Sequence, residues 1–163
     1  MVFLWDMQIK LNMDNKWNEF QITPSKKFGI EVPIFQPSVF REYRGEIFTT
    51  FHSVNHPVMN HIADDCEIHG RFSRSYKGVL RGLHWDEKTW KLVSCPHGRI
   101  YLVVLDVREK TPDFGKWETF ILSPETGIQV LVPPYFANGH FVMDVEDIED
   151  ENYEEILRQL GYE

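Results

Sequence analysis

The chain has 163 residues, enough for one domain with a sizeable buried core. It carries 25 acidic against 17 basic residues, a net charge of −8, which argues against nucleic acid as a partner, because neutralising phosphates takes clustered Lys and Arg. Hydrophobic residues make up 42% of the chain and no apolar run approaches the ~20 residues that span a bilayer, so a folded domain without a membrane segment is expected.

Taken in chain order, residues 1–29 show no clear period, and Trp5, Trp17 and Phe20 are expected to cover an edge of a sheet. The apolar stretch from Met1 to Trp5 is too short for a signal-peptide core, and Asp6 follows it. From Ile30 onward the chain is β-rich. Ile30–Phe35, Glu46–Phe51, Gly78–Trp85, Lys91–Cys95, Arg99–Val107, Trp117–Leu122, Ile128–Val132 and Gly139–Met143 all read as short strands of β-branched and aromatic residues. Pro96-His-Gly98, Thr111-Pro-Asp-Phe-Gly115, Ser123-Pro-Glu-Thr-Gly127 and Pro133-Pro134 supply the turns between them. Strands at this spacing, with no helices among them, predict an antiparallel sandwich or barrel over residues 30–145. The last segment, 146–163, is acidic. Tyr153, Ile156, Leu157 and Leu160 fall at i, i+3, i+4 and i+7, which predicts a short C-terminal helix with Asp150 as N-cap and Gly161 as stop. Cys66 and Cys95 form no disulfide framework and no CxxC pair, so free thiols in a reducing cytoplasm are expected.

Chemistry concentrates in Lys77-Gly-Val-Leu-Arg-Gly-Leu-His-Trp85, where a strand holds both a guanidinium and an imidazole. In a regular strand Arg81 and His84 point to opposite faces. Gly82 between them can mark a bulge that shifts the phase and turns both toward one cavity. The plainer alternative is an edge strand with Arg81 in solvent and His84 in the core. His52, His56, His61, His69 and His97 lack metal-ligand spacing, and neither a metal nor another cofactor is expected.

Lys77-Gly-Val-Leu-Arg-Gly-Leu-His84 resembles the signature of the dTDP-4-dehydrorhamnose 3,5-epimerase family, nucleotide-sugar epimerases built on a cupin jelly roll. Other stretches match in the same order: Phe40-Arg-Glu-Tyr-Arg-Gly-Glu-Ile-Phe48, Lys91-Leu-Val93, Asp106-Val-Arg108 with Thr111-Pro-Asp-Phe-Gly-Lys-Trp117, and Val132-Pro-Pro-Tyr-Phe-Ala-Asn-Gly139. The first element, the His84–Leu92 loop and Asn138 are similar in form to epimerases acting on GDP-linked 4-keto heptoses. The resemblance implies an all-β cupin jelly-roll sandwich, a homodimer, and a nucleotide-diphosphate sugar as substrate. It implies His84 as the base that removes a proton beside the 4-keto group, and Lys91 as the cation that steadies the enolate. Arg81 and Arg44 would hold the diphosphate, whose oxygens a planar guanidinium grips in pairs. Phe48, Asn138 and His140 would line the substrate site. Trp85, Trp90 and Tyr101 are further aromatics available to a base or sugar.

The sequence also departs from the pattern. His69-Gly-Arg71 stands where the family carries Gln-Asp-Asn, and Thr49 where the early strand carries an acid. The family's next strand, which bears a catalytic Tyr, is replaced by Asp144-Val-Glu-Asp-Ile-Glu-Asp-Glu-Asn-Tyr153. The general acid is therefore unassigned. An active epimerase, a nucleotide-sugar-binding pseudoenzyme and a dimeric scaffold are the three readings that follow.

Overall fold

The structure, a computed structural model, describes residues 19–62 and 66–143. Ten strands form its framework. In chain order they are β1 Phe20–Ser25, β2 Gly29–Pro37, β3 Val39–Glu42, β4 Gly45–Phe48, β5 Leu80–His84, β6 Lys91–Val93, β7 Arg99–Asp106, β8 Trp117–Leu122, β9 Gln129–Val132 and β10 Phe136–Met143. A 3-10 turn, Pro57–Asn60, lies between β4 and β5. Among the described residues two antiparallel four-stranded sheets form, ordered β1-β2-β9-β6 and β5-β10-β7-β8, while β3 and β4 pair with each other. This is the all-β cupin jelly-roll sandwich that the motif set implied. The helix expected at the C-terminus, with Tyr153, falls outside the described residues.

Period-two patterning explains why the sheets stack. On β7 and β10 the residues Leu102, Val104 and Phe136 point inward. They meet Val32, Val130, Val132 and Cys95 from the other sheet, together with Phe120 and Leu122 of β8. All are nearly or fully buried, and each such aliphatic or aromatic side chain contributes roughly 1.5–3 kcal/mol by leaving water. Beneath the first sheet a second cluster joins Phe35, Leu131 and Val58 of the 3-10 turn, with Trp90 packed against it. His56 secures that turn: its Nδ1 accepts the Val58 N–H at 3.0 Å and its Nε2 lies 2.8 Å from Gln129 Oε1. Burial pushes the His56 pKa below the ordinary imidazole value, against the opposing hydrogen bond from Gln129.

Three polar ties join the layers at their margins. The Glu118 carboxylate of β8 accepts the backbone N–H groups of Lys26 and Lys27 at 2.8 Å each. Fully buried Asp106 accepts from the Arg108 backbone and guanidinium, and that guanidinium continues to Glu31 at 3.0 Å. The third tie is described with the site.

Every expected strand is present: β8 keeps its bounds, β5, β6, β7 and β9 are shorter than expected, β2 and β10 are longer, and β4 is shifted to Gly45–Phe48. Two more appear: β1 pairs with β2 from Phe20↔Pro37 to Ser25↔Gly29, and β3 closes a hairpin on β4.

Candidate active site

The pairing of β5 with β10 decides where the charged side chains go. Asn138 pairs with His84, His140 with Arg81, and Phe141 with Leu80. Two steps on β10 therefore match three on β5, so β5 carries one extra residue at Gly82-Leu83. The bulge expected near Gly82 is present. It returns Arg81 and His84 to the same side of the strand, and the β10 register identifies that side. Asn138 and His140 pair with Val104 and Leu102, which face the interior. Arg81, His84, Asn138 and His140 thus share the inner wall of the sandwich.

Only glycine permits this geometry. Gly82 has φ +117°, and a Cβ there would stand 2.5 Å from the Gly139 Cα and 2.8 Å from the Asn138 carbonyl oxygen. Gly139 is crowded in return: a Cβ there would stand 2.8 Å from the Arg81 carbonyl oxygen. The two strands approach backbone to backbone at this point, as strand glycines allow.

Lys91 comes from β6 of the opposite sheet, beside inward-facing Val132. Its ammonium donates to Asn138 Oδ1 at 3.2 Å, the third tie between the layers, and it lies 3.6 Å from Asp86. Asp86 sits two residues beyond His84. The backbone N–H of Lys88, then that of Thr89 and the charge of Lys91, hold its carboxyl down to about 2. Sequence reasoning gave Asp86 no role; its spacing within the His84–Lys91 loop was the available signal. Arg81 is braced on its Nε side by Ser75 Oγ at 2.8 Å, which leaves the rest of the guanidinium fork for a ligand.

His140 is half-buried. Burial is the main cause of its pKa lying below the ordinary imidazole value, followed by the charge of Arg81 and the nearness of His84. Both groups are therefore its electrostatic neighbours. Among the described residues no group of three or more His, Cys, Asp or Glu is arranged to hold a metal ion.

Arg44 and Phe48 are not brought to this wall by the chain itself. Arg44 lies in the turn of the β3–β4 hairpin, ion-paired with Glu42 and with its guanidinium 5.6 Å from the Tyr43 ring. Phe48 ends β4, and the hairpin forms a sheet of its own. The other aromatics point elsewhere: Trp90 packs under the first sheet, Tyr101 lies on the outer face of the second, and Trp85 stands beside Tyr135 at 6.3 Å. Tyr135 occupies the left-handed region at φ 63°, uncommon for any residue with a side chain.

The outer face of the second sheet is apolar. Leu80, Leu83, Val103, Leu105, Trp117 and Phe141 line a groove there, which Arg81 and His140 also border.

Comparison with known proteins is consistent across sequence and structure. The family model described as dTDP-4-dehydrorhamnose 3,5-epimerase matches residues 30–150. The enzyme of that name from Shigella flexneri is 37% identical over 121 residues, covering 71% of this chain and 65% of its own length. Its Escherichia coli K12 counterpart is 35% identical over 122 residues, covering 69% and 62%. This chain thus spans a little under two thirds of the length of both. In three dimensions, a Legionella pneumophila dTDP-6-deoxy-D-glucose-3,5-epimerase in complex with dTDP-4-keto-L-rhamnose aligns with a TM-score of 0.69 at 34% identity. That alignment covers 77% of this chain and 66% of the other. An Elizabethkingia anophelis dTDP-4-dehydrorhamnose 3,5-epimerase aligns with a TM-score of 0.64 at 30% identity, covering 77% and 68%.

Proposed function

Because this chain belongs to the dTDP-4-dehydrorhamnose 3,5-epimerase family, we propose that it inverts one or more carbons next to the 4-keto group of a nucleotide-linked sugar. The observation that carries the reading is the inner wall itself, where Arg81, His84, Asn138 and His140 stand together and Lys91 faces them from the other sheet. A proton beside a ketone is acidic enough to remove only when a base and a stabiliser of the enolate oxygen are both in place. His84 is the base. Lys91, held by Asn138 and Asp86, is the cation for the oxygen. Arg81 grips the diphosphate with the donors that Ser75 leaves open. Asn138 and His140 line the sugar site. Arg44 and Phe48, on the separate hairpin, reach the nucleotide across a subunit boundary in a homodimer. The apolar outer face of the second sheet supports such a dimer, because a contiguous apolar surface is costly to leave in water. Free Cys66 and Cys95 support a reducing, cytoplasmic setting.

Incubation in D2O with dTDP-linked and GDP-linked 4-keto sugars, followed by NMR, tests the reading. Deuterium is expected to enter the position beside the ketone. The His84→Asn variant is expected to lose ~10²–10⁴ in exchange rate while still binding nucleotide. Unchanged exchange in that variant removes His84 from the role, and no exchange by the unaltered protein on any of these sugars removes the activity.

A further inference from the structure

Inversion needs a second proton-transfer group on the face of the sugar opposite the base. We propose that His140 is that group, delivering a proton to the enolate after His84 has removed one. The inference rests on the epimerase reading and follows from the register of β5 and β10.

The four inner-wall residues form a quadrilateral. Arg81 and His140 are directly paired across the strands, as are His84 and Asn138. The two imidazoles therefore occupy one diagonal. Arg81 occupies an end of the other, and Asn138, bound to the Lys91 ammonium, occupies its far end. Diagonal neighbours on adjacent strands stand about 7–8 Å apart. A planar enolate attacked from both faces needs a group about 3–3.5 Å away on each side, roughly the same total. A sugar ring standing edge-on to the wall, along the line from Arg81 to Lys91, then has His84 on one face and His140 on the other. Its keto oxygen lies at the ammonium and its phosphate end at the guanidinium.

The step balances. His84 takes the proton, and the electrons of the broken C–H bond pass into the enolate. The His140 imidazolium gives up its ring N–H proton to the other face as the enolate electrons form the new C–H bond. His84 ends protonated and His140 neutral, and both re-equilibrate with solvent before the next turnover. Among the described residues the ionisable groups acting on His140 are Arg81 and His84 from β5, and Lys91 of β6 binds the neighbouring Asn138. Burial, Arg81 and His84 weaken its hold on a proton, which makes its imidazolium a stronger acid toward carbon than an ordinary histidine. A bound diphosphate offsets the surrounding positive charge and supplies the protonated form.

The test measures two rates on one sample, deuterium entry and configurational change, using a dTDP-linked 4-keto-6-deoxy sugar in D2O. For His140→Phe, the ratio of inversion to exchange is expected to fall ~10²-fold or more. His140→Asn, which keeps a polar side chain of smaller size, is expected to show the same split and covers the case in which Phe disturbs the fold. In the unaltered protein the ratio of inversion to exchange is expected to rise as pH falls from 8 to 6, and to become flat in either variant. Inversion at the unaltered rate in both variants overturns the assignment. So does loss of exchange and inversion in equal proportion, which marks His140 as a binding or structural residue. Absence of exchange in the unaltered protein is a different result, and it overturns the epimerase reading itself.

Discussion

Replacing Gly82 with Ala tests whether the site depends on the close approach of β5 and β10. Two costs combine. The backbone at φ +117° lies in a region that residues with a Cβ avoid, worth about 1–3 kcal/mol. The added methyl carbon would also stand 2.5 Å from the Gly139 Cα and 2.8 Å from the Asn138 carbonyl oxygen. Both obstacles are backbone, so relief requires the strands to separate, and overpacking of this kind costs about 1–3 kcal/mol. The expected loss is about 2–6 kcal/mol, a large part of a typical domain's stability. Gly139→Ala isolates the second cost: no positive φ applies there, and one of its contacts is the movable tip of Leu83 at 3.0 Å. It should lose about 1–3 kcal/mol, less than Gly82→Ala. Urea denaturation with matched m-values gives both numbers, and nucleotide titration of the folded fraction reports on the wall. Weakened binding is expected wherever the strands part, because Arg81 and His84 are held in register by Asn138 and His140. A Gly82→Ala protein within 1 kcal/mol of the original, or one more stable than Gly139→Ala, would refute the argument.

Two further predictions concern stability. Asp106→Ala should cost about 3–5 kcal/mol in thermal or urea unfolding, since it leaves the Arg108 guanidinium without its fully buried partner; a loss below 1 kcal/mol would show that Glu31 alone satisfies Arg108. His56, held neutral by burial, should make the fold acid-sensitive: its folded pKa is depressed, so the unfolded chain binds more protons below the ordinary value of 6.5. The stability it supports is complete above that pH and is lost as pH falls toward the lowered folded value, so the fall between pH 7 and 5 should be shallower in His56→Gln, and identical slopes would sink the idea.

The sheet-forming segments were legible because β-branched and aromatic runs alternate cleanly between turn residues, as in Trp117–Leu122, whose bounds coincide with β8. The edge strand β1 was not. Phe20-Gln-Ile-Thr-Pro-Ser25 has a proline and a largely exposed face, so it carries neither an apolar period nor an uninterrupted run. The hairpin strand β3 was hidden for a related reason: Arg41 and Glu42 are polar where a buried strand would not be. For the site, the sequence placed a glycine between two residues that had to share a cavity, and the bulge resolves their phase. What no local pattern contained was the partnership across strands. That Arg81 meets His140, and that Lys91 reaches Asn138 from the other sheet, depends on long-range pairing of segments dozens of residues apart. The motif resemblance supplied the residue list, and the register supplied their arrangement.

The Lys91–Asn138 bond has a consequence for how the molecule comes apart. The two sheets share no ladder; side-chain packing joins their middles, and polar side chains lace their margins at Glu118, Arg108 and Lys91. Of these seams the one at Lys91 is the shortest strand, three residues at the free edge of its sheet. A ligand that engages Lys91 on one layer and Arg81 on the other adds a stitch where the lacing is thinnest. Saturation at a hundred times the dissociation constant contributes about 2.7 kcal/mol against global unfolding. Its local effect is concentrated at that seam, so the amides of residues 91–93 should become the ones whose exchange with solvent a ligand slows most. A ligand bound there is then a fastener between the layers.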